Sequence, residues 1–249
     1  MGLLLQTLLG TIAMITGSNI YIVSKFEINS TEGSFNHMAL NNKTGTIYIG
    51  AMNNLYQLSS NLTLIKSATT GPKFDNPNCW PQYITASCDQ PQEPMNSYNK
   101  ALVIDYNNNK LISCSSLYHG ICKRYSLSDF QSNDPDIYVP VVGNNAASTT
   151  VAFIAPGPPN GVFQSDVLYV AASRTNTGYP VFRDLVPAVA SRRVETFDLF
   201  YKGIGTSSSK SIEAILRVAF PVYYIYGFSS DKFSYFVTVQ KRNPKTEQI

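Results

Sequence analysis

The sequence predicts an all-β fold assembled from repeated antiparallel meanders. Three observations carry that prediction. Short apolar runs rich in Val, Ile, Tyr and Phe alternate with turns bearing Asn, Gly and Ser. Tyr (16) and Phe (13) are abundant among the 249 residues, and both suit a pleated, half-buried surface. Helical periodicity is nearly absent, residues 209–216 being the best stretch for it. The clearest unit is residues 99–127, NKALVIDYNNNKLISCSSLYHGICKRYSL. Asn107, Asn108 and Asn109 break its first run from its second, because Asn tolerates the positive φ of a tight turn. Cys114 and Cys122 sit in its second and third runs, where cross-strand neighbours come within reach of a disulfide.

From the start of the chain, residues 1–18 are apolar and almost uncharged, too short for a comfortable membrane span but suited to a secretory signal cut after Ser18. Three sequons follow, at Asn29, Asn42 and Asn61, and four cysteines fit the same oxidising compartment. Strands are expected at residues 21–28, 35–40, 46–51, 55–58 and 62–66. A loop rich in Pro, Asn and Gln (residues 70–98) contains Cys79 and Cys88, and a disulfide would account for so long a loop in a compact domain. The organising meander comes next, with a fourth strand at residues 137–142. A third unit places strands at 149–155, 167–172, 194–200 and 215–220, interrupted by an excursion over residues 173–193. A fourth unit begins with 223–228 and 233–240. No later apolar stretch is long enough to cross a membrane, so no anchor is expected.

Ile47, Leu111, Leu168 and Tyr235 align as second strands at a pitch of roughly sixty residues, and four strands per repeat is the pattern of a propeller blade. Residues 19–249 then supply about three and a half blades, against the ~4–8 that close a ring. The reading is a partial propeller.

At this point the residues resemble a family. FNHMALNNKTGTIYIGAMNNLYQLSSNLTL (residues 35–64) is similar to the first blade of the plexin sema domain, and TGPKFDNPNCWP (70–81) to the stretch after it. The organising meander resembles the second blade. VPAVASRRV (186–194) and YGFSSDKFSYFVTVQK (226–241) fit later ones. Semaphorins share the sema fold, but Gly71, Pro72, Cys79, Trp80 and Pro81 follow the plexin version. The resemblance implies a sema-type β-propeller with seven blades, of which this chain is the N-terminal part. It implies disulfides Cys79–Cys88 and Cys114–Cys122, although spacing alone leaves three connectivities open. It also implies a cell-surface receptor on the extracellular side of the plasma membrane, binding a semaphorin in axon guidance or cell migration, with receptor self-association as a further contact.

Enzymatic readings find little support. His37 and His119 are the only histidines, and no nucleophile elbow, zinc-binding helix or phosphate loop occurs. Asp75, Asp89 and Glu93 share the long loop, and a propeller glycoside hydrolase would need two such carboxylates at a set separation. A net charge of +3 is too small to imply nucleic acid. No cofactor, metal or small-molecule substrate is expected. Trp80 is expected to pack on the neighbouring disulfide. The excursion is the candidate binding loop, because it departs from the repeat and carries Arg174, Tyr179, Phe182, Arg183, Arg192 and Arg193. Arg and aromatic residues in an insertion suit a protein interface.

Overall fold

The computed structural model describes the chain except for residues 1–2, 7–10, 17–18, 29–32, 83–86, 158–164, 204–205, 214–215, 217–218 and 241–249. The described residues are overwhelmingly strand, turn and loop, as the alternating patterns require. β1 (Leu3–Gln6), β2 (Thr11–Thr16) and β3 (Asn19–Lys25) form a three-stranded antiparallel sheet. Beyond β3, Phe26 and Ile28 turn onto the next sheet, where Phe26 lies 5.9 Å from Phe35 and 5.3 Å from Tyr56.

The first blade is a four-stranded meander of β4 (Phe35–Leu40), β5 (Ile47–Ala51), β6 (Asn54–Leu58) and β7 (Leu64–Thr69). The 41–46 turn forms because Asn41 accepts from the Thr44 and Gly45 amides, and Gly45 takes φ +73°. A short pair, β8 (Lys73–Asp75) with β9 (Glu93–Met95), bridges the ends of the long loop. The second blade is β10 (Asn99–Asp105), β11 (Lys110–Ser115) and β12 (Cys122–Ser126). Asp105 fixes its first turn by accepting from the Asn107 and Asn108 amides, and Asn109 takes φ 53°. The third blade is β13 (Thr150–Pro156), β14 (Asp166–Ala172) and β15 (Val189–Arg192), followed by the small hairpin β16 (Lys202–Gly203) and β17 (Thr206–Ser207) and closed by β18 (Ser209–Lys210). A last hairpin pairs β19 (Val222–Ser230) with β20 (Phe233–Gln240).

The blades stand face to face around an axis. Their first strands follow one another, β4 beside β10, β10 beside β13, and β13 beside β19. Alternation along each strand supplies both faces. Tyr48 and Leu55 of the first blade meet Leu102, Leu111, Tyr125 and Phe130 of the second. The opposite face of the second blade, Ala101, Val103, Ile112 and both its cysteines, meets Leu168 and Val170 of the third. Leu111, Ile112 and Leu168 have no measurable exposure, so each inter-blade layer is a true core. This radial stacking makes the molecule an all-β partial propeller.

Three strand assignments are corrected. Residues 137–142 make a single bridge, Ile137 to Cys122, instead of a fourth ladder. Ion pairs hold this segment to the edge: Asp134 lies 3.1 Å from both Lys110 and Arg124, and Asp136 lies 2.7 Å from Lys123. The third strand of the third blade is Val189–Arg192 and not residues 194–200, because the chain turns there: Phe197 takes φ 58° and donates its amide to Arg193 O. The fourth strand is Ser209–Lys210, so it precedes residues 215–220.

Candidate protein interface

The long loop after the first blade and the excursion of the third are built against each other. Cys79 and Cys88 are disulfide-bonded and close the loop tip, while Cys114–Cys122 staples β11 to β12. Asp75, at the end of β8, is buried and accepts from the amides of Asn76 (2.8 Å) and Tyr118 (2.7 Å). It therefore ties the loop to the 117–120 turn of the second blade. In that turn His119 donates Nε2–H to Cys79 O at 2.8 Å. A carbonyl can only accept, so Nε2 carries the proton, and in the neutral ring Nδ1 is left as an acceptor without a hydrogen bond. Burial holds the His119 pKa below its ordinary value, against the Cys79 carbonyl and the Asp75 charge, which raise it. Burial pushes Asp75 upward, and its two amide donors oppose that shift.

The excursion docks here through Phe182. A single turn of 3-10 helix, Pro180–Phe182, turns its ring inward, 5% exposed, with Trp80 at 5.1 Å and His119 at 5.2 Å. Trp80 lines a small hollow together with Cys79 and Cys88, its ring makes an edge contact with Phe182, and it is 48% exposed. Tyr179 (46%) and Val181 (63%) are exposed beside it. The result is a ridge of large apolar side chains standing on a buried aromatic anchor.

The arginines separate into two groups. Arg174 and Arg183 belong to the excursion, Arg174 with Nε 3.5 Å from Asp184 and Arg183 donating Nε–H to Gly178 O at 3.0 Å. Arg192 does not belong to it. It ends β15, is 3% exposed, and donates to Phe197 O at 2.8 Å, so it secures the turn that follows; burial draws its pKa down to about 10. Arg193 is exposed in that turn, with its guanidinium 5.5 Å from the Phe200 ring centroid.

Asn42 and Asn61 lie exposed in turns of the first blade, with Thr44 and Thr63 also exposed, while Asn29 lies outside the described residues. Asp89 and Glu93 are exposed, whereas Asp75 is buried and committed to backbone amides. His37 donates Nδ1–H to Asn99 O at 3.1 Å, and burial, reinforced by the Lys100 charge, lowers its pKa. Sequence reading missed Lys100. It is 5% exposed and donates to the carbonyls of Ala146 (3.0 Å) and Ser148, joining the second blade to the third, and burial lowers its pKa to about 8. Its position in an apolar strand, NKALVID, was the available signal. Among the described residues no cluster of His, Cys, Asp and Glu could hold a metal, and no helix is long and apolar enough to cross a membrane.

Radially stacked sheets define the class, and solved structures agree with it. Drosophila Semaphorin 2a superposes with a TM-score of 0.52 at 12% identity, covering 87% of this chain and 34% of that one, a likeness in fold alone. The fold is that of a sema-type β-propeller. The solved Plexin A4 full extracellular region superposes with a TM-score of 0.70 at 33% identity, covering 83% of this chain and 23% of that one. Plexin-A4 of Danio rerio is 34% identical over 232 residues, and Plexin-A2 of Homo sapiens 30% over 237, covering 87% and 89% of this chain. No family model matches the chain. The chain is a plexin homologue, and it spans about 12% of the length of these curated relatives.

Proposed function

We propose that the chain forms part of the ligand-binding extracellular region of a plexin-like cell-surface receptor, with a semaphorin as partner and guidance or migration signalling as the outcome. It enters the secretory pathway through residues 1–18 and carries glycans at Asn29, Asn42 and Asn61. It works by recognition: rigid blades present loops, and a dimeric ligand gathers receptors. The observation that carries this reading is the homology with plexins together with the apolar ridge of Trp80, Tyr179 and Val181 held on buried Phe182. Exposed aromatics on a rigid support are the usual material of an interface hot spot. The test is display of the full chain on cultured mammalian cells, followed by staining with a panel of soluble dimeric semaphorin ectodomains. Saturable staining by at least one semaphorin is expected. Absence of staining by every one, at normal surface levels of the chain, would overturn the reading.

A further inference from the structure

At the root of the excursion lies a cavity of about 180 Å³, walled by Val186, Phe220 and Tyr223 and lined by Arg174, Arg183 and Asp184. That volume equals about six water molecules' share of liquid, enough for a carboxylate side chain. Arg174 donates Nη1–H to Asn176 at 3.0 Å, but its Nε–H is buried without a hydrogen-bond acceptor, the nearest carboxylate oxygen being 3.5 Å away on Asp184. Arg183 lines the same cavity and is anchored by its Nε–H to Gly178 O. The anchor itself is rigid. Gly178 sits at φ +82°, and a Cβ there would meet Pro77 O at 2.4 Å, so the turn is pressed against the long loop. The described lining thus offers two guanidinium groups for one carboxylate, in a partly enclosed space.

A buried donor left without an acceptor costs about 1–3 kcal/mol, and a guanidinium edge is shaped for two parallel hydrogen bonds to a carboxylate. Apolar walls suit the methylene stem of the same side chain. We propose that this cavity receives an aspartate or glutamate side chain from the protein partner, with Arg183 as its ion-pair donor. The proposal rests on the reading of the chain as semaphorin-binding. A sulfated glycan is the less suited occupant, since such chains bind open rows of cations, and here a concave site includes Asp184.

The experiment uses the displayed chain and any semaphorin that stains it. Arg183→Glu is expected to weaken staining about tenfold or more, the scale of a lost charge-assisted pair. Arg183→Lys keeps the charge without the fork and is expected to fall between. Lys232→Glu, in the exposed turn between β19 and β20, serves as the neutral control. Replacing the matching acidic residue of the semaphorin by Arg is expected to restore binding to Arg183→Glu. Staining of Arg183→Glu equal to the wild type for every binding semaphorin would overturn the proposal. So would loss of heparin binding with semaphorin staining intact. If Arg183→Glu fails to reach the surface, Arg183→Gln, neutral and near in shape, decides by the same readings. A wild-type chain that no semaphorin stains removes the functional reading itself, an outcome told apart because it does not depend on the variant.

Discussion

The second blade and the last hairpin are written in the same alternating pattern, yet they end in opposite environments. Along β10 and β11 nearly every residue is buried, because one face packs on the first blade and the other on the third. Along β19 and β20 only one face is covered. Tyr224 and Phe236 lie against it, Phe236 5.5 Å from Phe153, and Gly227 lets that strand approach Val151. The other face exposes Tyr226 (62%), Phe233 (65%), Val237 (47%) and Val239 (58%). A propeller sheet is therefore not stable by its own pairing. Its stability comes from having a neighbour on each side, as in any repeat built on stacked faces.

Substitutions in and beside the two regions sharpen the contrast. Leu111→Ala removes a side chain with no exposure at the centre of the inter-blade core and is expected to cost about 3 kcal/mol, lowering the denaturant midpoint measured by tryptophan or tyrosine fluorescence. A loss under about 1 kcal/mol would mean that the blades do not pack as a core.

An intermediate effect is expected at the junction of loop and excursion, and it depends on pH. His119 has its native pKa held below 6.5 by burial. Between that lowered value and 6.5 the unfolded chain binds a proton that the native chain does not, so stability is full above 6.5 and falls as the pH drops. His37 shifts in the same direction. Asp75, raised above its ordinary 3.8, binds its proton more readily in the folded chain and opposes the trend at lower pH. Melting temperatures measured between pH 7.5 and 5 should decline, and His119→Gln should flatten the decline. A slope unchanged by that substitution would exclude His119 as a contributor.

The smallest effect on folding belongs to the exposed face. Val239→Ser should change stability by no more than about 0.5 kcal/mol, since its side chain is already in water. The same substitution together with Val237→Lys should reduce self-association in light scattering, because an apolar patch of that kind is adhesive. An equally large loss of stability at Val239 and Leu111 would erase the contrast between the regions.

Much of the fold was legible because strand period and turn chemistry are local. Phe35–Leu40 and Phe233–Gln240 lie where the alternation places them, and Asn109 does take the positive φ that its turn needs. Residues 194–200 misled for a physical reason. VETFDLF alternates like a strand, but Phe197 adopts φ 58° and buries fully as the plug of a turn. Nothing local distinguishes those two uses of one phenylalanine. The interface was half legible. An excursion rich in Arg and aromatics stood out from the repeat, but the roles within it depend on partners far away in sequence. Phe182 is an anchor only because Trp80 and His119 meet it, and Arg192 is interior only because β15 begins before the excursion was expected to end.

The rim of the second blade, where Asp134 sits between Lys110 and Arg124 and Asp136 meets Lys123, is fastened by charge in place of a ladder of amides. Partly exposed pairs of this sort fade as ionic strength rises. Concentrated salt should therefore loosen the exposed turn around Asp134 and Asp136, while Val141 and Val142, buried in the layer behind it, stay in place. That turn marks the natural place to graft an epitope or a fluorophore without disturbing the wheel.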